Sequence, residues 1–251
     1  VFSWSAGLVT YVICCHILSN IYTVYVHRGL GHHHFEFSKP LEHVFRFILW
    51  FQIGFVWDNW QQHYAAKHRK HHRYSDTKQD PHSPYFYTVK QMLDVGHQDP
   101  ARANYISKEE IQLYAPDIKS PDDWIERNIY LKYPKLGCWL FILVMTVLFG
   151  ITGLILGLIN YYLMPALYIL VGNYLTHKVG FTYPWNLKID KSKIVFPWGI
   201  IAGGEELHAH HHDDSSKPYF HRHWWEIDPG WLYAKILIKL RLMQLSEKST
   251  Y

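Results

Sequence analysis

The sequence predicts an all-α integral membrane protein in which transmembrane helices carry a cytosolic helical cap. Three observations predict it. Apolar residues make up 49% of the 251-residue chain, and they are concentrated in runs almost free of charge; several approach the ~20 residues a helix needs to cross a bilayer. Eleven tryptophans and 19 tyrosines suit the aromatic belts found where spans meet headgroups. Of nineteen histidines, nine fall in short motifs at the ends of the apolar runs or in one outlier there, at spacings that belong to helical faces. The mean hydropathy of −0.16 therefore averages two opposed compartments, apolar spans and loops dense in His, Lys, Arg and Asp.

Residues 1–26 read as a transmembrane helix. The run lacks the basic segment and small-residue cleavage site of a signal peptide, and it passes without a break into the first histidine motif. Its apolar start at Val1, without a methionine, implies a preceding segment. Residues 41–57 are apolar after Glu42, His43 and Arg46. If they crossed the bilayer, the first two histidine motifs would lie on opposite sides, so they are read as an interfacial helix. Residues 84–135 are polar and punctuated by Pro100, Pro116, Pro121 and Pro134, a cytosolic insert of short helices and loops. Residues 136–159 and 161–177 form a transmembrane hairpin that returns the chain to the same face, and residues 178–251 complete the cap. Within the cap, Trp231 to Leu242 alternates apolar residues with Lys235, Lys239 and Arg241, as a basic amphipathic helix on a membrane would. Arg28, Lys67, Arg69, Lys70, Arg73, Lys188, Lys191 and Lys193 flank the motifs, which makes their side cytoplasmic by the positive-inside rule. The whole chain is one domain. Cys14, Cys15 and Cys138 lie in apolar runs and form no disulfide framework. A net charge of +4 suits anionic headgroups or an acidic protein partner, whereas no nucleic-acid motif accompanies the basic residues.

The histidine motifs are His27-Arg-Gly-Leu-Gly-His32, His68-Arg-Lys-His71-His72 and His208-Ala-His-His211-His212. The second and third share H-x-x-H-H, which on a helix puts positions i, i+3 and i+4 on one face, their imidazoles converging on a single point. With one outlier, nine imidazoles exceed the six ligands that one ion takes, so the count implies two metals. Imidazole suits iron, zinc, copper and nickel alike. A shell of histidine without cysteine at a membrane surface favours di-iron and oxygen chemistry over a structural zinc site.

In this order, with the run from Tyr74 to Asp80-Pro81-His82 after the second motif and Gly204-Glu205 before the third, the chain resembles the membrane-bound fatty acyl desaturases. The resemblance is to their Δ9, stearoyl-CoA desaturase-like branch and covers nearly the whole chain. It implies two irons held in a cytosolic cap over four transmembrane helices, of which three are visible here. It also implies a further ligand after the last helix, His177, and an asparagine one turn earlier, Asn173, that reaches a metal through water. The implied metal set is His27, His32, His68, His71, His72, His177, His208, His211 and His212, with Asn173 in the outer sphere; zinc can replace iron in purified protein. The implied reaction is the dioxygen-dependent introduction of a cis double bond, Δ9 by default, into a saturated long-chain acyl group. That group is carried by coenzyme A, a carrier protein or a lipid. No flavin, nicotinamide or haem signature is legible, so electrons come from a separate cytochrome b5 or ferredoxin. The membrane is the bacterial inner membrane or the endoplasmic reticulum. Two positions depart from the family pattern: His33 stands where arginine commonly follows the first motif, and His63-Tyr64 where Glu-Trp commonly precedes the second.

The nearest alternative is a membrane hydroxylase on the same scaffold, because inserting oxygen and removing a second hydrogen diverge only after the first abstraction. A histidine-rich metal transporter is more distant, since transporters place ligands within their spans near the midplane. Of the remaining histidines, His33, His34 and His210 adjoin ligands, and His210, about 200° around a helix from His208, should point away from the metals. His16 reads as packed or channel-facing, and His43, His63, His82, His97, His221 and His223 as interfacial or supporting groups. Asp76, Asp80, Glu205, Asp213 and Asp214 are candidates to orient ligand rings through their second nitrogen. Tyr11 and Cys15, roughly 24 and 18 Å before His27 along a helix, are candidates for the closed end of an acyl tunnel; simple packing between helices is the competing reading.

Overall fold

The structure, a computed structural model, describes residues 2–54, 58–94, 102–183, 190–196 and 198–247. Val1, Trp57, His97, Pro100 and Lys188 lie outside the described residues. Helix α1 (Trp4–Ile21) begins where the Ser3 hydroxyl accepts the Ala6 N–H, and it continues as a π-helical stretch, Tyr22–Gly31, that carries the first motif. Strand β1 (Phe35–Phe37) pairs antiparallel with β2 (Met243–Leu245), which pins the C-terminal part of the chain beside that motif. Helix α2 (Lys39–Ile53) has Pro40 in its first turn, where no N–H is needed, and stops at Gly54 in the left-handed region. Helix α3 (Trp60–Tyr74) carries the second motif. The short helices α4 (Val89–Leu93) and α5 (Lys108–Tyr114) each open with a capping box, Thr88 with Gln91 and Ser107 with Glu110. A π-helical turn, Glu126–Tyr130, precedes α6 (Leu136–Ile169), which runs on through π-helical Leu170–Leu175 into α7 (Thr176–Lys178). Helix α8 (His208–Asp213) carries the third motif, and α9 (Pro229–Lys239) follows.

Two helical stretches, Trp4–Gly31 and Leu136–Lys178, are long and apolar enough to cross a membrane. The second is folded on itself. Gly150 has φ 60° and ψ −137°, a conformation only glycine adopts freely, and the chain reverses there. The rings of Trp139 and Tyr161 consequently lie 5.9 Å apart, where a straight helix would hold them about 33 Å apart. The hairpin therefore turns at Gly150, not near Asn160 as the apolar pattern suggested. Asn160 interrupts the apolar run without breaking the helix, because its buried amide donates to the Gln52 carbonyl at 2.7 Å. The tip of the hairpin meets the start of α1, with the Phe2 N–H bonded to the Leu148 carbonyl.

The largest group of buried apolar side chains joins α1, α2, α3 and the second arm of the hairpin through Leu18, Tyr25, Leu49, Trp50, Trp60 and Met164. Buried Arg46 of α2 pairs with Asp123 and Glu126 and so fastens the insert to the same core. The interfacial reading of 41–57 corresponds to α2, which ends at Ile53. The three histidine motifs and His177 thus leave four packed elements on one side of the molecule.

Candidate metal centre

All nine expected histidines are brought together, in two groups. His27, His32, His68, His72 and His211 form one; His71, His177, His208 and His212 form the other. In each group one ring nitrogen of every residue lies within 4.8 Å of the others. The convergence of each H-x-x-H-H motif on a single point is not what the structure shows. His68 and His72 serve the first group while His71 serves the second; His211 serves the first while His208 and His212 serve the second. Consecutive residues on a helix point about 100° apart, so His71 and His72, or His211 and His212, straddle two centres. Within the first group the Nε2 atoms crowd together: His32 and His68 at 2.7 Å, His27 and His211 at 3.0 Å, His72 and His211 at 3.0 Å, His68 and His72 at 3.1 Å.

Carboxylates stand behind four of the rings. His27 Nδ1 donates to Glu205 at 2.6 Å, His71 Nδ1 to Asp80 at 2.9 Å, His177 Nδ1 to Asp76 at 3.1 Å and His212 Nδ1 to Asp190 at 2.5 Å. Each bond places a proton on Nδ1 and leaves the Nε2 lone pair facing inward, the tautomer a metal requires. Asp76, Asp80 and Glu205 were expected in this role. Asp213 and Asp214 were candidates too, but they pair with Arg222 and Lys217 instead. Asp190 was missed: it lies outside every motif, and only the chain's return across the cap brings it to His212. Thr23 was missed as well, and its hydroxyl donates to the other oxygen of Glu205 at 2.5 Å.

The centre is buried and short of hydrogen-bond partners. His27, His32, His71, His177, His208 and His211 are each 2% exposed or less. Burial, reinforced by neighbouring imidazoles, holds His32, His68, His72, His208 and His211 well below the usual histidine range, so these rings are neutral at pH 7. His71 is raised: burial pushes it down, but Asp80, with Asp76 and Asp190 further off, outweighs burial. Nε2 of His71, Nε2 of His177 and both ring nitrogens of His208 are buried without a hydrogen-bond partner. Buried polar atoms are almost always satisfied. Converging lone pairs of neutral imidazole fit a divalent transition metal in each group.

Asn173, one turn before His177, lines a cavity of about 20 Å³ with His71, His208, Tyr22, Tyr64 and Tyr168. Cys15 packs against the core that contains Tyr168, and Tyr11 against Phe141, Met145 and Phe149 on the hairpin. His210 turns away from both groups and donates to Glu226 at 2.8 Å. His33 donates to Asp117 at 2.7 Å, and His16 bonds the Tyr233 hydroxyl at 3.0 Å. Three cations expected to mark an open basic face are internally paired: Arg28 with Asp228, Arg69 with Asp117 and Lys70 with Glu110.

The family model for fatty acid desaturase matches residues 2–233. The chain is 28% identical to Delta-9 acyl-lipid desaturase 2 of Arabidopsis thaliana, an alignment covering 93% of this chain and 72% of that protein. It is 28% identical to the sn-1 stearoyl-lipid 9-desaturase of Synechocystis sp., covering 96% of this chain and 71% of that one. To the acyl-CoA C20 Delta5-desaturase of Anemone leveillei it is 27% identical, over 96% and 73% of the two chains.

Proposed function

The chain belongs to the fatty acid desaturase family, and from that premise we propose that it introduces a cis double bond at the Δ9 position of a saturated long-chain acyl group, using dioxygen and two irons. The observation that carries this reading is the division of nine histidines into groups of five and four, with Nδ1 of four rings tied to carboxylates. His27, His32, His68, His72 and His211 would hold one iron. His71, His177, His208 and His212 would hold the other, with Asn173 acting through water. The cavity beside Asn173 has room for one water, since ~10–15 Å³ suffices.

When bound, the irons supply the oxidising capacity of dioxygen, which no side chain possesses. One dioxygen, two electrons and two protons, with two hydrogens from adjacent methylenes, leave the double bond and two waters. The protein's part is to hold and orient. Glu205, Asp80, Asp76 and Asp190 keep protons on Nδ1, and Tyr22, Tyr64 and Tyr168 wall the space where the acyl chain meets the centre. Tyr11 and Cys15, further down α1, end that space and set chain length. Electrons come from a separate cytochrome b5 or ferredoxin.

Two stretches suited to the membrane and family membership make the protein membrane-associated. In the proposed arrangement α1 and both hairpin arms span, the histidine-bearing cap is cytoplasmic, and α2 and α9 lie in the interface. Exposed Val44 and Phe47 on α2, and Leu232 and Ile236 on α9, support that placement.

The test is lipid analysis by gas chromatography and mass spectrometry in a host without its own desaturase, expressing this chain or its His71→Ala variant. New cis-monounsaturated chains are expected from the unaltered chain alone, and their fragmentation locates the double bond. Hydroxylated chains would replace desaturation by oxygen insertion, and identical lipids from both strains would remove the catalytic reading.

A further inference from the structure

Behind the third motif stands a set of ligand-type side chains that neither histidine group uses. His210 turns away from both groups, and the segment between α8 and α9 brings His223 and Glu226 to it. One ring nitrogen of each histidine and one oxygen of Glu226 all lie within 4.8 Å of one another. His210 is 2% exposed and Glu226 6%.

Each of the three is held in place by its surroundings. One oxygen of Glu226 accepts the N–H groups of Arg222 and His223, at 2.7 and 3.0 Å, which leaves Oε1 directed at His210 Nε2, 2.8 Å away. The His223 ring lies flat on Trp225, with 4.4 Å between centroids and 3° between planes, and edge-on to Tyr183 at 5.0 Å. Tyr183 in turn stacks on His210 at 5.7 Å and 8°, and its hydroxyl accepts the Trp225 indole N–H at 3.3 Å. Two imidazoles and a carboxylate are thus fixed around a common point.

The hydrogen bond between His210 and Glu226 accounts for only two of these residues. The buried Nδ1 of His210 makes no hydrogen bond, so nothing opposes transfer of the ring proton from Nε2 to Nδ1. That transfer frees the Nε2 lone pair, the form in which imidazole binds metal. Two neutral imidazoles, one carboxylate and a fourth position for water are the donor set of a four-coordinate zinc. Bonds of ~2.0–2.2 Å separate tetrahedral ligands by about 3.4 Å, so the His210–Glu226 pair need open by only about half an ångström. The rings of Tyr183 and Trp225 close in on the site, which favours four ligands over the open positions that iron keeps with two histidines and a carboxylate.

We propose that His210, His223 and Glu226 bind a metal ion of their own, zinc, apart from the two histidine groups, and that this ion fastens the third motif to residues 221–226. Helix α8 has only six residues, too few to hold itself. It supplies His211 to one group and His208 and His212 to the other, so its rotation sets both. Asp213 with Arg222 at 2.5 Å also ties it to the same segment, but that pair is partly exposed, and such pairs contribute little. Zinc on the outward face of α8 locks the rotation.

The test uses the full chain in detergent micelles, equilibrated with zinc alone and desalted, with zinc per chain counted by mass spectrometry. The unaltered chain is expected to hold one more zinc than His223→Ala or Glu226→Gln, whose affinity at this site should fall by more than the roughly 10–100-fold that loss of an outer partner costs. His223→Cys keeps a ligand and should restore the ion. With cobalt in place of zinc it should also show a thiolate-to-cobalt charge-transfer band that the unaltered chain lacks, since Cys14, Cys15 and Cys138 lie in α1 and α6. Equal zinc in the unaltered chain and His223→Ala would overturn the site, as would a folded His223→Cys without the band. If His223→Ala loses every ion by failing to fold, the cobalt spectrum of His223→Cys decides. An extra zinc in a chain that makes no unsaturated lipid would sink the desaturase reading and leave this site standing.

Discussion

In the proposed centre, a histidine would be made a ligand by the group behind it. His71 is the clearest case, with Asp80 fixing Nδ1 while Nε2 is left buried and unbonded. Removing such a partner typically costs 10–100-fold in metal affinity. Asp80→Ala is therefore expected to lose iron to a competing chelator at 10–100-fold lower chelator concentration than the unaltered protein, whereas Asp213→Ala, whose carboxylate pairs with Arg222, should not shift. Equal retention by both variants would show that the carboxylate does not position the ring. The spacings that bring His68, His71 and His72, and His208, His211 and His212, into one place were legible because helical periodicity is written directly in sequence, whereas His177 was expected only from the family resemblance. The division into two groups was not legible, since it depends on where each helix axis lies relative to its neighbours. Nor was proximity a guide to the carboxylates: Asp213 adjoins His212 yet faces away, and distant Asp190 makes the bond. Asp76 holds a left-handed backbone, φ 61°, while its side chain accepts from both His177 and the Lys191 N–H. No spacing rule predicts such a conformation.

At the scale of elements, two junctions decide whether the site is assembled. The first is the hairpin, where close approach of its arms depends on glycine. A Cβ on Gly153 would lie 1.8 Å from the Met145 carbonyl oxygen, so Gly153→Ala must push the arms apart. A loss of about 1–3 kcal/mol is expected, as for other overpacked sites, and thermal unfolding in detergent would measure it; an unchanged midpoint would mean that the turn at Gly150 alone fixes the arms. Hydropathy located the apolar arms but not the reversal, because a glycine's left-handed backbone leaves no mark in an apolar pattern. The second junction is Asp228, which caps α9 at the Trp231 N–H, accepts the Phe220 N–H and pairs with fully buried Arg28 between the histidines of the first motif. Burial raises its carboxyl and Arg28 more than offsets this, bringing it down to about 2 from 3.8. The depressed value means that its contribution to stability is complete above pH 3.8 and fades as pH falls through about 2. Asp228→Asn leaves Arg28 buried and unpaired, expected to cost about 3–5 kcal/mol at pH 7. The gap between variant and parent should narrow below pH 3.8; a gap independent of pH would mean that the carboxylate's charge is not what stabilises Arg28.

For the molecule as a whole, the sequence implied a membrane protein whose chemistry sits at the ends of its spans, and the structure explains why that placement is possible. The two histidine groups draw on residues 27–32, 68–72, 177 and 208–212, the first three separated by helix α2, an insert and a hairpin. Apolar packing fixes the spans independently: α1 meets the hairpin through Phe141, Met145 and Phe149 far from any ligand. Around the histidines the described residues form smaller apolar clusters, with Ala65, Ala66 and Ile111 beside the second motif and Ile194, Leu207, Ala209 and Phe220 beside the third, and unbonded imidazole nitrogens are buried next to them. In the proposed centre, bound metal would fasten the cap, and each ion held at a thousandfold its dissociation constant would add about 4 kcal/mol to the folded state. Chelation should therefore act locally. Hydrogen exchange at amides of α3, α7 and α8 is expected to rise by one to several orders of magnitude, while α1 before Leu18 and the hairpin around Met145 keep their protection. Readdition of iron should restore the cap. Faster exchange spread evenly over spans and cap would mean that the molecule unfolds as one unit, and no change anywhere would mean that hydrogen bonds to the four carboxylates hold the cap without metal.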